Sequence, residues 1–581
     1  MTNSIPRAEH PNPQFERESW LNLNGEWEFE IDNSVSGRER GLQNAEHLSS
    51  KIIVPFCPES RLSGVENTDF MNCVWYRRDI EISESELEGI VILHFGAVDY
   101  DATVYINGEE AMHHKGGYVS FAGDITKFLK AGKNSIAVEA RDDVRNPLIP
   151  RGKQSERLHS HDCDYTRTTG IWQTVWVEFV PKSYIKSIKL FPNPESSSVA
   201  FSCELCGSGE LGIDVLYEGK LVGRYDCKNA AGCVSGDMKL IEKHLWEVGC
   251  GRLYNLVITF GGDTVKSYFG LRDIRLDGFK YLINGKSVFQ RLVLDQGFYR
   301  DGIYTAPDES DLIKDIEISL AAGFNGARLH QKVFEQRFLY HCDRMGYLVW
   351  GEYPNWGLDY SAPDAIYGIL PEWCEEVERD FNHPSIIGWC PFNETWDYDG
   401  RQQRDELLET VYKITKQLDS TRPCIDTSGN FHVMSDIFDV HDYEQDPKIF
   451  KENYDKLVSD GTLFDRHDSR QKYAGEPTFV SEYGGIKWVV SEYGGIKWVV
   501  GEQDENAWGY GNAPRTENEF IERYRGLTEA LLGNELMFGF CYTQLYDIEQ
   551  EQNGLYTYDR EPKFDMTVFH GINSAKAAIE E

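Results

Sequence analysis

"QRLVLDQG" (290–297), followed by "ESDLIKDIEISLAAG" (309–323), decides the fold. The first is a short apolar run that turns polar only at its carboxyl end, as a strand covered on both faces does. The second spaces its apolar residues as a helix does. The same alternation continues with "FNGARLH" (324–330), "FEQRFLYHCDRMG" (334–346), "YLVWGEYP" (347–354), "SIIGWCPFNE" (385–394) and "DELLETVYKITKQLD" (405–419). "PCIDTSG" (423–429), "IFDVHDY" (437–443), "PTFVSEYGG" (477–485) and "LMFGFCYTQLYD" (536–547) complete eight strand candidates. Alternation sustained over about 300 residues predicts a parallel (β/α)8 TIM barrel, whose chemistry belongs at the carboxyl ends of the strands. The polar residues of these segments stand at those ends.

Upstream the rhythm differs. "VWYRRDIEI" (74–82), "GIVILHFGAV" (89–98), "DATVYINGEE" (101–110) and "NSIAVEARDD" (134–143) alternate apolar and polar residues, and Asn107-Gly108 is a hairpin signal. Residues 1–182 are therefore expected to form a β-sandwich. "LGIDVLYEGKLVGRYDC" (211–227) and "RLYNLVITFGG" (252–262) predict a smaller sandwich of immunoglobulin-like size over 183–273, with the barrel occupying 274–581.

At 581 residues the chain is too long for one core, and 14 Trp, 31 Tyr and 30 Phe suffice to line a pocket as well as to fill the cores. A net charge of -36 argues against nucleic acid or an anionic membrane as partner. No apolar run approaches the roughly 20 residues of a spanning helix. The start, "MTNSIPRAEHPNPQFERESW", shows no secretory signal, so a cytoplasmic location is expected. The 13 cysteines are scattered without a CxxC pair, which suggests neither a disulfide framework nor a zinc ribbon.

"GWCPFNETWDYDG" (388–400) ends an apolar strand in Asn393-Glu394, and "FVSEYGG" (479–485) delivers Glu482 at the end of the seventh strand. Two carboxyl groups facing each other across an anomeric carbon are what glycosidic hydrolysis needs. "SEYGGIKWVV" occurs at 481–490 and again, identically, at 491–500. The duplication makes Glu492 a second candidate for the attacking carboxylate, with Glu482 favoured by its proline entry, "GEPTFVSEYGG".

"RDFNHPSIIGWCPFNE" (379–394) resembles the acid/base signature of glycoside hydrolase family two, the family of β-galactosidases, β-glucuronidases and β-mannosidases. "TRTTGIWQTVWVE" (166–178), "SWLNLNGEWEFEID" (19–32) and "FVSEYGG" resemble its sandwich signature, its opening and its nucleophile segment. The resemblance implies a jelly-roll, sugar-binding-like first domain. It also implies a retaining mechanism with Glu394 as acid/base, held protonated beside apolar Trp389 and Trp396, and Glu482 as nucleophile. Asn393 matches the amide that binds the sugar 2-hydroxyl, Arg328 the arginine that keeps the nucleophile ionised, and Tyr443 the tyrosine that donates to it. Asp164 matches an aspartate sent from the sandwich to the sugar hydroxyls. His330 and His441 are candidate pocket donors, and Asp295 and Gln296 candidate floor residues.

Two departures weaken the choice of sugar. Thr543 stands where a tryptophan platform is usual. Asn553-Gly554-Leu555 lacks the lysine of the Asn-x-Lys pair with which glucuronidases hold the sugar carboxylate, leaving only Lys332 as a substitute. A terminal β-galactoside is therefore the expected substrate, with an atypical β-glucuronidase and a non-hydrolytic sugar-binding protein as alternatives. No cofactor is implied and no metal site is predicted. The resemblance implies a homo-oligomer.

Overall fold

The computed structural model describes residues 5–493, 496–499 and 507–580, the side chains of 490–499 excepted. The first sandwich packs a sheet of Trp20–Asn22, Val175–Val180, Ile90–Phe95 and Phe121–Asp124 against a second of six strands. In that second sheet Cys73–Ile82 and Gly132–Arg141 are central neighbours. Inward-facing Trp27, Phe29, Tyr76, Leu93, Val104, Val138 and Val177 are buried between the sheets. Asn107 and Gly108, with φ of 52° and 83°, make the expected tight hairpin.

The second sandwich is dominated by two strands of 20 residues each, Ser198–Tyr217 and Lys220–Lys239. Register shifts near Leu205 and Gly209 interrupt their pairing. The first half of Ser198–Tyr217 pairs with Tyr184–Asn193 and the second half with Leu253–Phe260. Bulges of this kind let one long strand bend between two packing surfaces.

The barrel strands are Gln290–Asp295, Gly326–Leu329, Leu348–Glu352, Ile386–Cys390, Val440–Asp442, Thr478–Gly484 and Met537–Thr543, all parallel. The expected fifth strand departs from the prediction. Residues 423–428 follow the fourth strand only through isolated bridges, Trp389 to Cys424 and Asn393 to Ser428. Pro423 has no N–H to give, and the Asp426 carboxylate takes the N–H of Thr427, so side chain competes with ladder there; its other oxygen ties down the following loop through the N–H groups of Val433 and Met434. The position of this segment still closes the wall.

Glycine and tryptophan trade places between the third and fourth strands. Trp350 lies opposite Gly388, and Gly351 opposite Trp389. A β-carbon at either glycine would enter the facing ring. Trp350 turns into the barrel and donates to Gln290 Oε1 at 2.9 Å. Trp389 turns outward, packs edge to face on Trp373 and donates to Asp419 Oδ2 at 2.8 Å. Trp389 is therefore no pocket wall, which corrects the sequence expectation: a strand alternates its faces, and the partner glycine leaves room on the outer one.

The sandwich also reaches over the barrel mouth. Arg151 and Gly152 donate their N–H groups to the carbonyls of Trp356 and Pro354 after the third strand. Gln550, after the eighth strand, donates to the carbonyls of Asp162 and Asp164. Residues 147–166 are thus pinned across the strand ends. Among the described residues, no helix is long and apolar enough to cross a membrane.

Candidate active site

The fourth strand ends at Cys390, and four residues later Glu394 enters the left-handed region with φ of 47°. A non-glycine residue there is uncommon and is concentrated at functional sites. The turn is held by the Glu394 N–H, which donates to the Ser428 carbonyl at 3.0 Å. Glu482 lies within the seventh strand, directly paired with His441 of the sixth. One oxygen of each carboxyl and one ring nitrogen of His441 all lie within 4.8 Å of one another. Facing carboxyls at about 5 Å leave no place for a water between them.

His441 bridges the pair. Its Nδ1 is 2.7 Å from Glu394 Oε1, and its Nε2 is 3.5 Å from Glu482 Oε1. Arg328 reaches Glu482 Oε1 at 3.3 Å, His330 Nε2 is also 3.3 Å away, and the Tyr443 hydroxyl donates to Oε2. Burial alone would raise the pKa of Glu482, but His441, His330 and Arg328 outweigh it and hold the carboxyl well below its ordinary value. Burial likewise opposes charge on His441, while Glu482 and Glu394 push its pKa up. Tyr443 is kept as a neutral phenol by burial and by the neighbouring Glu482.

The room for His441 comes from Gly429, whose φ is +87° and where a β-carbon would overlap the imidazole. Gly429→Ala should therefore cost about 1–2 kcal/mol in backbone strain alone. By displacing His441 it should also lower kcat by about tenfold or more. Thermal unfolding and kcat measured together check this; an unchanged kcat would mean that the ring's position is immaterial.

The structure places the other expected residues as follows. Asn393 is fully buried, and its Oδ1 accepts from Arg328 at 2.9 Å, while its Nδ2 has no partner among the described residues. Arg328 also pairs with Glu352 at 2.6 Å. Tyr443 stacks on Tyr510 and is 3.2 Å from Thr543 Oγ1. Gln296 orients His330 through Nδ1 at 2.9 Å. Asp295 is buried behind it and accepts from Tyr546 and Gly297.

Asp164 is not brought to the pocket. It joins Glu156 and His161, and Arg151 answers both carboxylates, at 2.8 Å and 3.1 Å. Its neighbour Cys163 lines the pocket instead. Lys332 is no pocket cation either. Its ammonium donates to the carbonyls of Gly297 and Tyr304, is caged by Trp172, Tyr304 and Phe334, and is pushed by burial down to about 7. Glu492 lies on a short strand, Val490–Tyr493, paired antiparallel with Ile496–Val499; its side chain is outside the described residues.

Glu394 and Glu482 line one narrow pocket together with His330, Tyr443 and Thr543. Sequence reasoning missed much of its wall: Lys153, Trp356, Trp508, Tyr510 and Glu551. They come from four different loops, and no local pattern joins them. A larger cleft between the second sandwich and the barrel base is lined, among the described residues, by two carboxylates only, Glu195 and Asp273.

Comparison with known proteins agrees with this architecture. Residues 21–181 match the family model "Glycosyl hydrolases family 2, sugar binding domain", and residues 274–572 match "Glycosyl hydrolases family 2, TIM barrel domain". The chain is 28% identical over 424 residues to the Beta-galactosidase of Thermoanaerobacter pseudethanolicus, covering 67% of this chain and 54% of that one. It is 24% identical over 455 residues to the Beta-glucuronidase of Rattus norvegicus, covering 69% and 67%. A Formosa agariphila relative is 27% identical over 378 residues, 60% of this chain and 44% of that protein. The chain thus spans about half the length of two of these relatives. The solved Lactobacillus rhamnosus Beta-glucuronidase superposes with a TM-score of 0.80 at 19% identity, covering 99% of this chain and 100% of that one. With both of its characteristic domains matched, the chain belongs to glycosyl hydrolases family 2.

Proposed function

We propose that this enzyme is an exo-acting, retaining β-glucuronidase. The observation that carries the retaining reading is the pair of carboxyls, Glu394 and Glu482, with oxygens within 4.8 Å of each other in one pocket. Glu482, already ionised, attacks the anomeric carbon as the glycosidic C–O bond breaks, and Glu394 passes its proton to the leaving oxygen. Glu394 then takes a proton from water, which displaces Glu482 and restores the resting state. The unpartnered Nδ2 of Asn393 is suited to donate to the sugar 2-hydroxyl. A small pocket walled by Trp356, Trp508 and Tyr510 suits one terminal sugar rather than the middle of a chain.

The choice of glucuronide is supported by relatives named as β-glucuronidases and replaces the galactoside expectation. A β-galactoside is the second reading, favoured by the Glu551 carboxylate in the wall and by the missing lysine at Asn553-Gly554-Leu555. A panel of nitrophenyl β-glycosides decides. The glucuronide should exceed the galactoside in kcat/KM by about 100-fold or more. The reverse preference would establish the second reading. Binding without release of nitrophenol would return the protein to a non-hydrolytic, sugar-binding role.

A further inference from the structure

A buried sugar carboxylate needs a cation, and the family position for that cation is vacant in this sequence. Among the described residues, Lys153 is the sole lysine or arginine lining the catalytic pocket. It arrives from the first sandwich, on the segment pinned over the barrel mouth by Arg151 and Gly152. The residue is 4% exposed, yet its ammonium makes no hydrogen bond within the described residues. Its nearest carboxylate oxygen, on Glu551, is 3.8 Å away, too far for a hydrogen bond. Glu551 is satisfied elsewhere: Asn553 donates to Oε1 at 3.0 Å, and the Tyr165 hydroxyl donates to Oε2. The rings of Trp356 and Tyr165 stand 5.2 Å and 5.6 Å from the ammonium and keep it from wandering.

An ammonium has three donors and no acceptor, so a nearly buried one left with none engaged is an unfinished site. We propose that Lys153 is the specificity-determining residue that holds the carboxylate of a terminal uronic acid, taking the place of the missing Asn-x-Lys lysine. Burial alone would discharge it, but Glu551 and Glu482 act the other way and raise its pKa, so it is charged at neutral pH. Glu551 and the ionised Glu482 are both like charges in this pocket; the two neutral donors of Glu551 remain in place to screen it, and Arg328, His330 and His441 offset Glu482. Sugar selection then sits on the sandwich domain and bond cleavage on the barrel.

This inference rests on the glucuronidase reading. Its test compares wild type, Lys153→Met and Lys153→Arg on nitrophenyl β-glucuronide and β-galactoside, with competitive inhibition by free glucuronate as a binding readout. For Lys153→Met the kcat/KM for glucuronide should fall by about 100-fold or more, mostly through KM, and inhibition by glucuronate should weaken in parallel. Lys153→Arg should restore part of both. Should Lys153→Met fail to fold, Lys153→Gln against Lys153→Arg reads the same loss. If wild type cleaves the glucuronide and the charge-removing variants keep its KM and its inhibition within about threefold, the role of Lys153 is overturned while the glucuronidase reading stands. A wild type that cleaves the galactoside and neither cleaves the glucuronide nor binds glucuronate overturns both.

Discussion

Glu482→Gln should lower kcat on nitrophenyl glycosides by about 10⁴-fold or more. Glu492→Gln should leave kcat within about twofold of wild type, a change worth less than about 0.5 kcal/mol. The two glutamates sit in identical ten-residue words, so nothing within the repeat separates them. Their neighbours do. Glu482 belongs to a strand hydrogen-bonded on both sides, to the sixth and to the eighth strands of the barrel. Glu492 belongs to a separate two-stranded antiparallel sheet outside the barrel wall. Glu482 is met by Tyr443, Arg328, His330 and His441.

The amide keeps the shape of Glu482 and removes the nucleophile. Arg328 retains Glu352 at 2.6 Å, so no guanidinium is stranded and the fold should persist. Thermal unfolding of the Glu482→Gln protein checks that point. If Glu492→Gln were instead the inactive variant, the register of the seventh strand assigned here would be wrong.

The barrel and its two carboxylates were legible because their signals are local. An apolar run ending in polar residues marks a strand and its carboxyl end, and the fold places those ends on one face. Strand ends alone made Glu394 and Glu482 candidates, and the family resemblance gave each its role. Trp389 was not legible, because its side depends on Gly351 of the neighbouring strand. Asp164 was misplaced because Arg151, thirteen residues earlier, folds back onto it. The fifth strand looked regular in the text, yet Pro423 has no N–H to give and Asp426 takes the N–H of Thr427. Lys153 carried no signal at all. Its role arises where a sandwich loop crosses a barrel mouth, a contact between residues hundreds of positions apart.

Glu394→Ala should produce a loss that depends on the leaving group. With alkyl or mononitrophenyl glycosides, departure needs a proton, and removing the acid should cost about 10²–10⁴-fold in kcat/KM. With dinitrophenyl glycosides departure needs none, so kcat/KM should stay within about tenfold of wild type. The second half-reaction loses its base whatever the substrate, so the glycosyl-enzyme on Glu482 should accumulate and be seen as a burst of dinitrophenol. Azide needs no base, and the truncated side chain leaves space beside His441 for it. It should raise kcat and give a glycosyl azide. The configuration of that product decides the mechanism. Attack by Glu482 inverts the anomeric centre once and attack by azide inverts it again, so a β-azide follows from two carboxyls whose oxygens lie within 4.8 Å. An α-azide would mean that azide had displaced the leaving group directly, and Glu482 would then be no nucleophile.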